Sequence, residues 1–177
     1  MNQHTKAISV RLSDTNKWPR FVEPDYLEKL QNIAIEATNK NTVEGQLAAI
    51  LIIHQLTEEL VKLLVENAYF YMQLKLYPLE FNKPKSKKIV MFGGLLTELE
   101  STISFQNKEI IIKKADQLNK IRIVIVHKLT KASTLSSLKK KTTEAWELYN
   151  SFSMSALHAH MVFQSDFKVI YQNSDWV

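Results

Sequence analysis

The sequence contains no cysteine and very little glycine or proline. Of its 177 residues, three are glycine and four are proline. Without cysteine there can be no disulfide framework, thiolate nucleophile or cysteine-ligated zinc site. The scarcity of glycine and proline leaves too few turn signals for the many short strands of a β-sandwich or β-barrel. The composition therefore predicts an all-α protein.

Long hydrophobic runs and short catalytic motifs are also missing. The longest uninterrupted apolar run, Leu47 to Ile53, is far shorter than the ~20 residues that span a bilayer. The polar start of the chain lacks the apolar core of a signal peptide. We therefore expect no membrane association and a cytoplasmic protein. There is no glycine-rich phosphate loop, GxSxG elbow, HExxH pair or zinc-type spacing, so we expect neither a cofactor nor a metal site.

Apolar residues recur at helical spacing along most of the chain. We predict a single domain spanning 1–177, a bundle of about five helices with a long central antiparallel helix pair. An irregular N-terminal arm is expected over 1–23 and a C-terminal tail over 163–177. The predicted helices cover about 24–38, 41–77, 89–103, 107–131 and 133–162. In the second of these, Asn41 and Glu44 form a plausible capping box, and a break near Asn67 is considered.

The chain is basic, with a formal net charge of +5 and a pI near 9.3. This favours association with a polyanion without establishing it. The lysines fall in two clusters. Each cluster could contact a nucleic-acid backbone or could be ordinary solvated surface. The clusters contain Lys83, Lys85, Lys87, Lys88, Lys139, Lys140 and Lys141. A DNA-binding regulator has little support, because no helix-turn-helix pattern stands out.

Two closely spaced pairs that contain histidine are candidate functional groups. His158 and His160 are two positions apart, so on a helix they point about 200° from each other and are not expected to share a metal ion. His54 and Glu58 are four positions apart on the apolar stripe of the longest predicted helix, where they can touch. That spacing suits either a proton-transfer group or a buried, fully hydrogen-bonded polar pair.

The most informative segment is RIVIVH, from Arg122 to His127. Only three of the 23 basic residues are arginine, so an arginine among Ile and Val indicates a need for a planar, permanently charged group. A histidine on the same helix adds a side chain suited to proton transfer. Alternatively, Arg122 pairs with a buried carboxylate, for which Glu58 is the first candidate, and His127 bonds a carbonyl at the helix end.

The segment from Asp116 to Leu129 resembles the motif helix of the HEPN superfamily, compact all-α domains with an arginine and, a few residues later, a histidine on a late helix. The resemblance covers this motif and the predicted helix layout. It implies an RNA-binding protein and metal-independent endoribonuclease that acts as a homodimer. In that mechanism His127 exchanges a proton with the ribose 2′-hydroxyl or the leaving oxygen, while Arg122 holds the phosphate.

The same resemblance implies a toxin, phage-defence or stress-response effector, with an antitoxin protein as a further partner. Two positions depart from the family's pattern. Many active members have a polar residue directly after the arginine, where this chain has Ile123. Asn119 is a poor substitute, because it lies ~12 Å from His127 along the helix, but with His54 and Glu58 it is a candidate supporting residue of the site. Leu129 replaces a tyrosine that antitoxins of one subgroup modify. The alternative is a non-catalytic helical interaction or regulatory protein.

Overall fold

The computed structural model describes residues 3–21, 23–83, 91–128 and 134–173. Within these ranges the chain forms six α-helices and one short 3₁₀ helix, which confirms the all-α helical bundle. The α-helices are α1 (Gln3–Ser13), α2 (Pro24–Asn39), α3 (Val43–Leu76), α4 (Phe92–Ser101), α5 (Lys108–Lys128) and α6 (Leu135–Gln172). The 3₁₀ helix, Thr15–Lys17, follows α1. In the described part of the chain, none of the helices combines the length and apolarity needed to cross a membrane.

The first turns of the long helices are capped by threonine. Thr42 Oγ1 accepts a hydrogen bond from the Gly45 amide at 3.1 Å, and Thr134 Oγ1 accepts one from the Ser137 amide at 3.2 Å. These side chains satisfy amides that have no partner inside the helix. The predicted cap at Asn41 was therefore wrong by one residue. Asn41 instead has a φ of 58°, a left-handed conformation that asparagine tolerates better than most residues, and it turns the chain between α2 and α3.

The two longest helices, α3 and α6, run parallel to each other, whereas each is antiparallel to a neighbour, α3 to α2 and α6 to α5. Trp146 of α6 donates to Thr38 beside the start of α3, and Phe167 near the end of α6 contacts Phe70 near the end of α3. The physical reason is the returning helix α5. It runs antiparallel to α6, with Lys114 near its start bonded to Ser151 of α6, so the chain reverses direction twice between the long helices.

Helices α2 and α3 form an antiparallel hairpin whose backbones approach closely at Gly45. A Cβ atom at that position would lie 2.3 Å from the carbonyl oxygen of Ala37, so only glycine fits without movement. Next to this contact, Gln46 Nε2 donates to the carbonyl of Thr38 at 2.9 Å, and Trp146 Nε1 donates to Thr38 Oγ1 at 3.0 Å. The contact thus joins three helices.

The hydrophobic side chains form two clusters. The main core lies along α3, α4, α5 and α6, and includes Leu64, Leu99, Ile111, Leu118 and Phe152. A second cluster lies where the ends of α3 and α6 meet the N-terminal segment, and includes Leu12, Trp18, Phe70, Phe163 and Phe167. The partly buried ring of Phe105 packs against both clusters.

The prediction of an irregular arm over 1–23 was wrong for its first half, because Gln3–Ser13 is helical. This helix has little apolar periodicity of its own, and the segment is fixed to the bundle by Trp18. The indole nitrogen of Trp18 donates to the Leu12 carbonyl at 3.0 Å, and its ring lies against Phe70 and Phe167. Tertiary packing, which sequence periodicity does not reveal, stabilises this helix.

The predicted tail over 163–177 is helical as far as Gln172, because α6 continues without a break. Phe163 and Phe167 are buried on one face, four positions apart, as expected for neighbouring turns of a helix. The other helix boundaries lie closer to the predicted ones. α3 runs through Asn67 without the break that was considered there, and α4 begins at Phe92, three residues after its predicted start. α5 begins within one residue of its predicted start.

Candidate functional site

Helix α5 carries the predicted motif along the edge of the core. Ile111, Leu118 and Ile125, seven positions apart, are buried and fix the orientation of the helix. Arg122 lies about 40° around the axis from Leu118, so its stem is half-buried at the rim of the core. Its charge lies near enough to α3 to act on His54.

Two of the predicted supporting residues are in contact. His54 of α3 and Asn119 of α5 form a hydrogen bond, with 3.2 Å between Nε2 and Oδ1. His54 is only 8% exposed, and the ring of Phe92 packs edge-on against it with 4.8 Å between ring centres. The contact places a polar pair one helical turn before Arg122.

The surroundings of His54 favour its neutral form. Burial lowers the pKa of His54, and the positive charge of Arg122 lowers it further. The hydrogen bond that His54 donates to Asn119 and the negative charge of Glu58 act in the opposite direction but are weaker. Arg122 is therefore close enough to His54 to affect its titration.

The proposed ion pair between Glu58 and Arg122 is not seen. Glu58 pairs with Lys62 one turn further along α3, at 2.9 Å between Oε1 and Nζ, and Lys62 also contacts Glu59. Across residues 3–21, 23–83, 91–128 and 134–173, no carboxylate lies within ion-pair distance of Arg122. The arginine charge therefore faces the surface without an acidic partner among these residues.

His127 lies on a different side of α5 from Arg122. Five residues along a regular helix give an offset of about 140° around the axis and about 7.5 Å along it. His127 is exposed. Between the two side chains the surface of α5 presents Val126, which is 42% exposed, and Ile123, which is 39% exposed. The motif within one chain is thus a strip with charged or polar ends and an apolar centre.

The predicted basic cluster on α6 begins near the end of α5. Lys139 and Lys140 are exposed, and Lys141 pairs with Glu144 at 2.6 Å. Lys141 also lines an open groove of about 510 Å³ between α5 and α6, together with Lys114 and Lys120. Because the two helices are antiparallel and joined by a short connection, this cluster lies at the same end of the bundle as His127.

The other predicted basic cluster is described only at Lys83; Lys85, Lys87 and Lys88, like Leu129, lie outside the described residues. Lys83 Nζ lies 5.4 Å from the ring centre of Tyr69. Partial desolvation lowers the pKa of Lys83, and the positive charge of Arg11 adds to this effect. The Tyr69 hydroxyl donates to Glu98 at 2.9 Å, and burial together with this carboxylate raises the pKa of Tyr69 to about 12.

A buried polar network that the sequence analysis did not anticipate joins α3, α6 and the N-terminal segment. Asn67 is fully buried, and its side chain lies 3.1 Å from His160 Nδ1. Gln164 donates to Asn67 at 3.3 Å and to the Pro19 carbonyl at 2.8 Å. Burial lowers the pKa of His160. The only sequence signal was an asparagine at a core position of a long helix. His158, in contrast, is exposed.

In the parts of the chain that are described, no group of three His, Asp or Glu side chains is placed to hold a metal ion. Comparison of the chain with models of protein families, with curated proteins and with solved structures found no match. The residues themselves therefore carry the functional argument. Of the predicted site residues, His54 and Asn119 contact each other, and Arg122 lies nearby. His127 of the same chain lies apart from these three residues.

Proposed function

We propose that this chain is a HEPN-like RNA-binding protein and metal-independent endoribonuclease that acts as a homodimer. The observation that carries the proposal is Arg122, which is held at the rim of the core with no carboxylate partner among the described residues. An unpaired arginine at this position is suited to bind an anion such as a phosphate diester, since its guanidinium presents two parallel N–H donors.

In the proposed reaction the ribose 2′-oxygen forms a bond to phosphorus while the bond from phosphorus to the 5′-oxygen breaks. His127 accepts the 2′-hydroxyl proton or supplies a proton to the leaving oxygen. Arg122 stabilises the negative charge that builds up on the phosphoryl oxygens. The products are a 2′,3′-cyclic phosphate end and a 5′-hydroxyl end.

The separation of Arg122 and His127 around α5 favours a two-chain site. One phosphate cannot readily contact both side chains of a single helix that point about 140° apart. A second α5 packed against the first would bring the arginine of one subunit towards the histidine of the other. Val126 and Ile123, exposed between them, supply apolar surface for such a contact.

The lysine distribution supports binding of a polyanion, which in this proposal is RNA. The groove between α5 and α6 carries Lys114, Lys120 and Lys141, and Lys139 and Lys140 extend the positive charge towards the end that bears His127. Phosphate contacts by lysine supply affinity without reading sequence, and they weaken as salt concentration rises. Lys141 and Lys120 would exchange exposed ion pairs for phosphates, and such pairs contribute little energy.

The proposal is tested by incubating wild-type protein, Arg122→Ala and His127→Ala with structured and unstructured RNA in EDTA. We expect cleavage by the wild type to produce 2′,3′-cyclic phosphate ends, and each substitution to reduce the rate at least about 100-fold. His158→Ala is the matched control, because His158 is also exposed but lies on α6. The nuclease proposal fails if a dimeric wild type shows no cleavage that depends on His127.

A non-catalytic dimeric interaction or regulatory protein is the second candidate, and Ile123 is the observation that favours it. An isoleucine at that position cannot hydrogen-bond an imidazole, whereas its exposed side chain suits an interface. Under this candidate the protein dimerises through α5 and binds RNA or a protein partner without cleaving. Ile123→Asn separates the two candidates: it should increase a weak cleavage activity in an enzyme, but only weaken the dimer in a regulator.

The biological setting that we propose for the nuclease is a toxin, phage-defence or stress-response effector neutralised by an antitoxin protein. Its expected signature is growth arrest when the chain is expressed alone, with loss of arrest in Arg122→Ala and His127→Ala. Arrest that persists in both variants would contradict this setting.

A further inference from the structure

Asn119 and Arg122 lie on neighbouring positions of one face of α5. They are one helical turn apart, about 60° around the axis and about 4.5 Å along it. Both side chains are half-buried at the rim of the core. Their polar ends can therefore reach the same small anion.

His54 fixes the orientation of the Asn119 amide. Because an amide oxygen only accepts hydrogen bonds, the 3.2 Å contact is a bond from His54 Nε2–H to Asn119 Oδ1. His54 is itself held by its burial and by the edge-on ring of Phe92. The Asn119 amino group is consequently turned away from His54, and within the described chain it has no acceptor.

The geometry points to a two-residue anion clamp. We propose that Asn119, oriented by His54, donates from its amide nitrogen to the phosphate that Arg122 contacts, which makes His54 a positioning residue for RNA binding. This inference rests on the proposed function and adds to it. It also assigns Asn119 a role that does not depend on reaching His127, from which it lies two turns away.

The groups that face His54 are consistent with this role. Arg122 on α5 supplies positive charge, Glu58 on α3 supplies negative charge, and Phe92 on α4 supplies an apolar wall. Glu58 forms an ion pair with Lys62, which partly offsets its negative charge near this site. A phosphate that reaches Arg122 and Asn119 would meet two donors, the guanidinium and the amide nitrogen.

The test measures affinity for a short RNA with 2′-O-methyl groups, which cannot be cleaved, by fluorescence anisotropy at several salt concentrations. The variants are Asn119→Leu, Arg122→Ala and His54→Phe. His160→Phe is the control, because His160 is also bonded to an asparagine, Asn67, but across the contact between α3 and α6 instead of the contact between α3 and α5. His54→Gln, which keeps an N–H donor, serves as the conservative replacement.

We expect Asn119→Leu to weaken binding about tenfold without changing the salt dependence, since no charge is removed. Arg122→Ala should weaken binding and reduce the salt slope by about one. His54→Phe should weaken binding about threefold, His54→Gln should restore most of that loss, and His160→Phe should leave affinity unchanged.

The failure of this inference differs from the failure of the proposed function. If Arg122→Ala weakens binding but Asn119→Leu does not, the clamp is overturned while the RNA site stands. If His160→Phe weakens binding as much as His54→Phe, the effect is one of general stability and the positioning role is overturned. If neither Arg122→Ala nor Asn119→Leu changes affinity, the RNA site itself fails.

Discussion

Replacing Gly45 by alanine should destabilise the protein, although alanine is normally the better helix former. The added Cβ would lie 2.3 Å from the Ala37 carbonyl oxygen, whereas an ordinary contact is 3.4 Å or longer. The backbones of α2 and α3 must therefore separate by about 1 Å, an overpacking strain of about 1–3 kcal/mol. The gain in helix propensity offsets about 0.5–1 kcal/mol of this. We expect a net loss of about 1–2 kcal/mol.

Gly93→Ala is the matched control, because a Cβ at Gly93, in the first turn of α4, meets no atom within 4 Å. This substitution should stabilise the protein by about 0.5 kcal/mol. The two variants should consequently shift the unfolding temperature in opposite directions, down by about 3–6 °C for Gly45→Ala and up by about 1–2 °C for Gly93→Ala. Circular dichroism melting and urea unfolding measure both. A stabilised Gly45→Ala protein would refute the close approach of α2 and α3.

Three further predictions concern the turn, the arm and the histidines. Asn41→Ala should cost about 1 kcal/mol in urea unfolding because of the positive φ, whereas Asn41→Gly should change stability by less than about 0.5 kcal/mol; equal effects would argue against the left-handed turn. Trp18→Ala should remove about 3 kcal/mol of packing and speed tryptic cleavage after Arg20, and an unchanged cleavage rate would contradict docking of the arm. Burial lowers the pKa of His54 and His160 below the ordinary 6.5, so the unfolded chain binds more protons as the pH falls. Stability should be level above about pH 6.5 and decline below it, and the decline should be smaller in a double His→Asn variant.

Helices with their own apolar periodicity were predictable. Helices α2, α3 and α5 follow spacing that places Ala34, Leu64 and Leu118 on buried faces. Helix α1 was not predictable in this way, since its position depends on Trp18 meeting Phe167 from the other end of the chain. The extension of α6 did leave a signal, because Phe163 and Phe167 repeat at helical spacing, but an aromatic-rich end is equally typical of a packed tail.

The candidate site was predictable as a set of residues but not as an arrangement. Local spacing identified Arg122 and His127 on one helix, and the apolar stripe of α3 singled out His54. Contact between His54 and Asn119 joins residues 65 positions apart, which no periodicity encodes. The expected pairing of Glu58 with Arg122 failed because Lys62, one turn away on the same helix, is a closer cation.

The docking of Trp18 against Phe167 and Tyr171 has a consequence for how the protein is made. The hydrogen bond from Gln164 to Pro19 joins residues 145 positions apart, so the contacts between the N-terminal segment and α6 cannot form until α6 has been synthesised. Before that point Trp18 can contact Phe70 of α3 but not Phe167 or Tyr171 of α6, so the indole stays more accessible to chaperones and proteases. Docking of Trp18 is therefore completed only after α6 is made, and a chain released before Phe167 would leave the indole partly exposed.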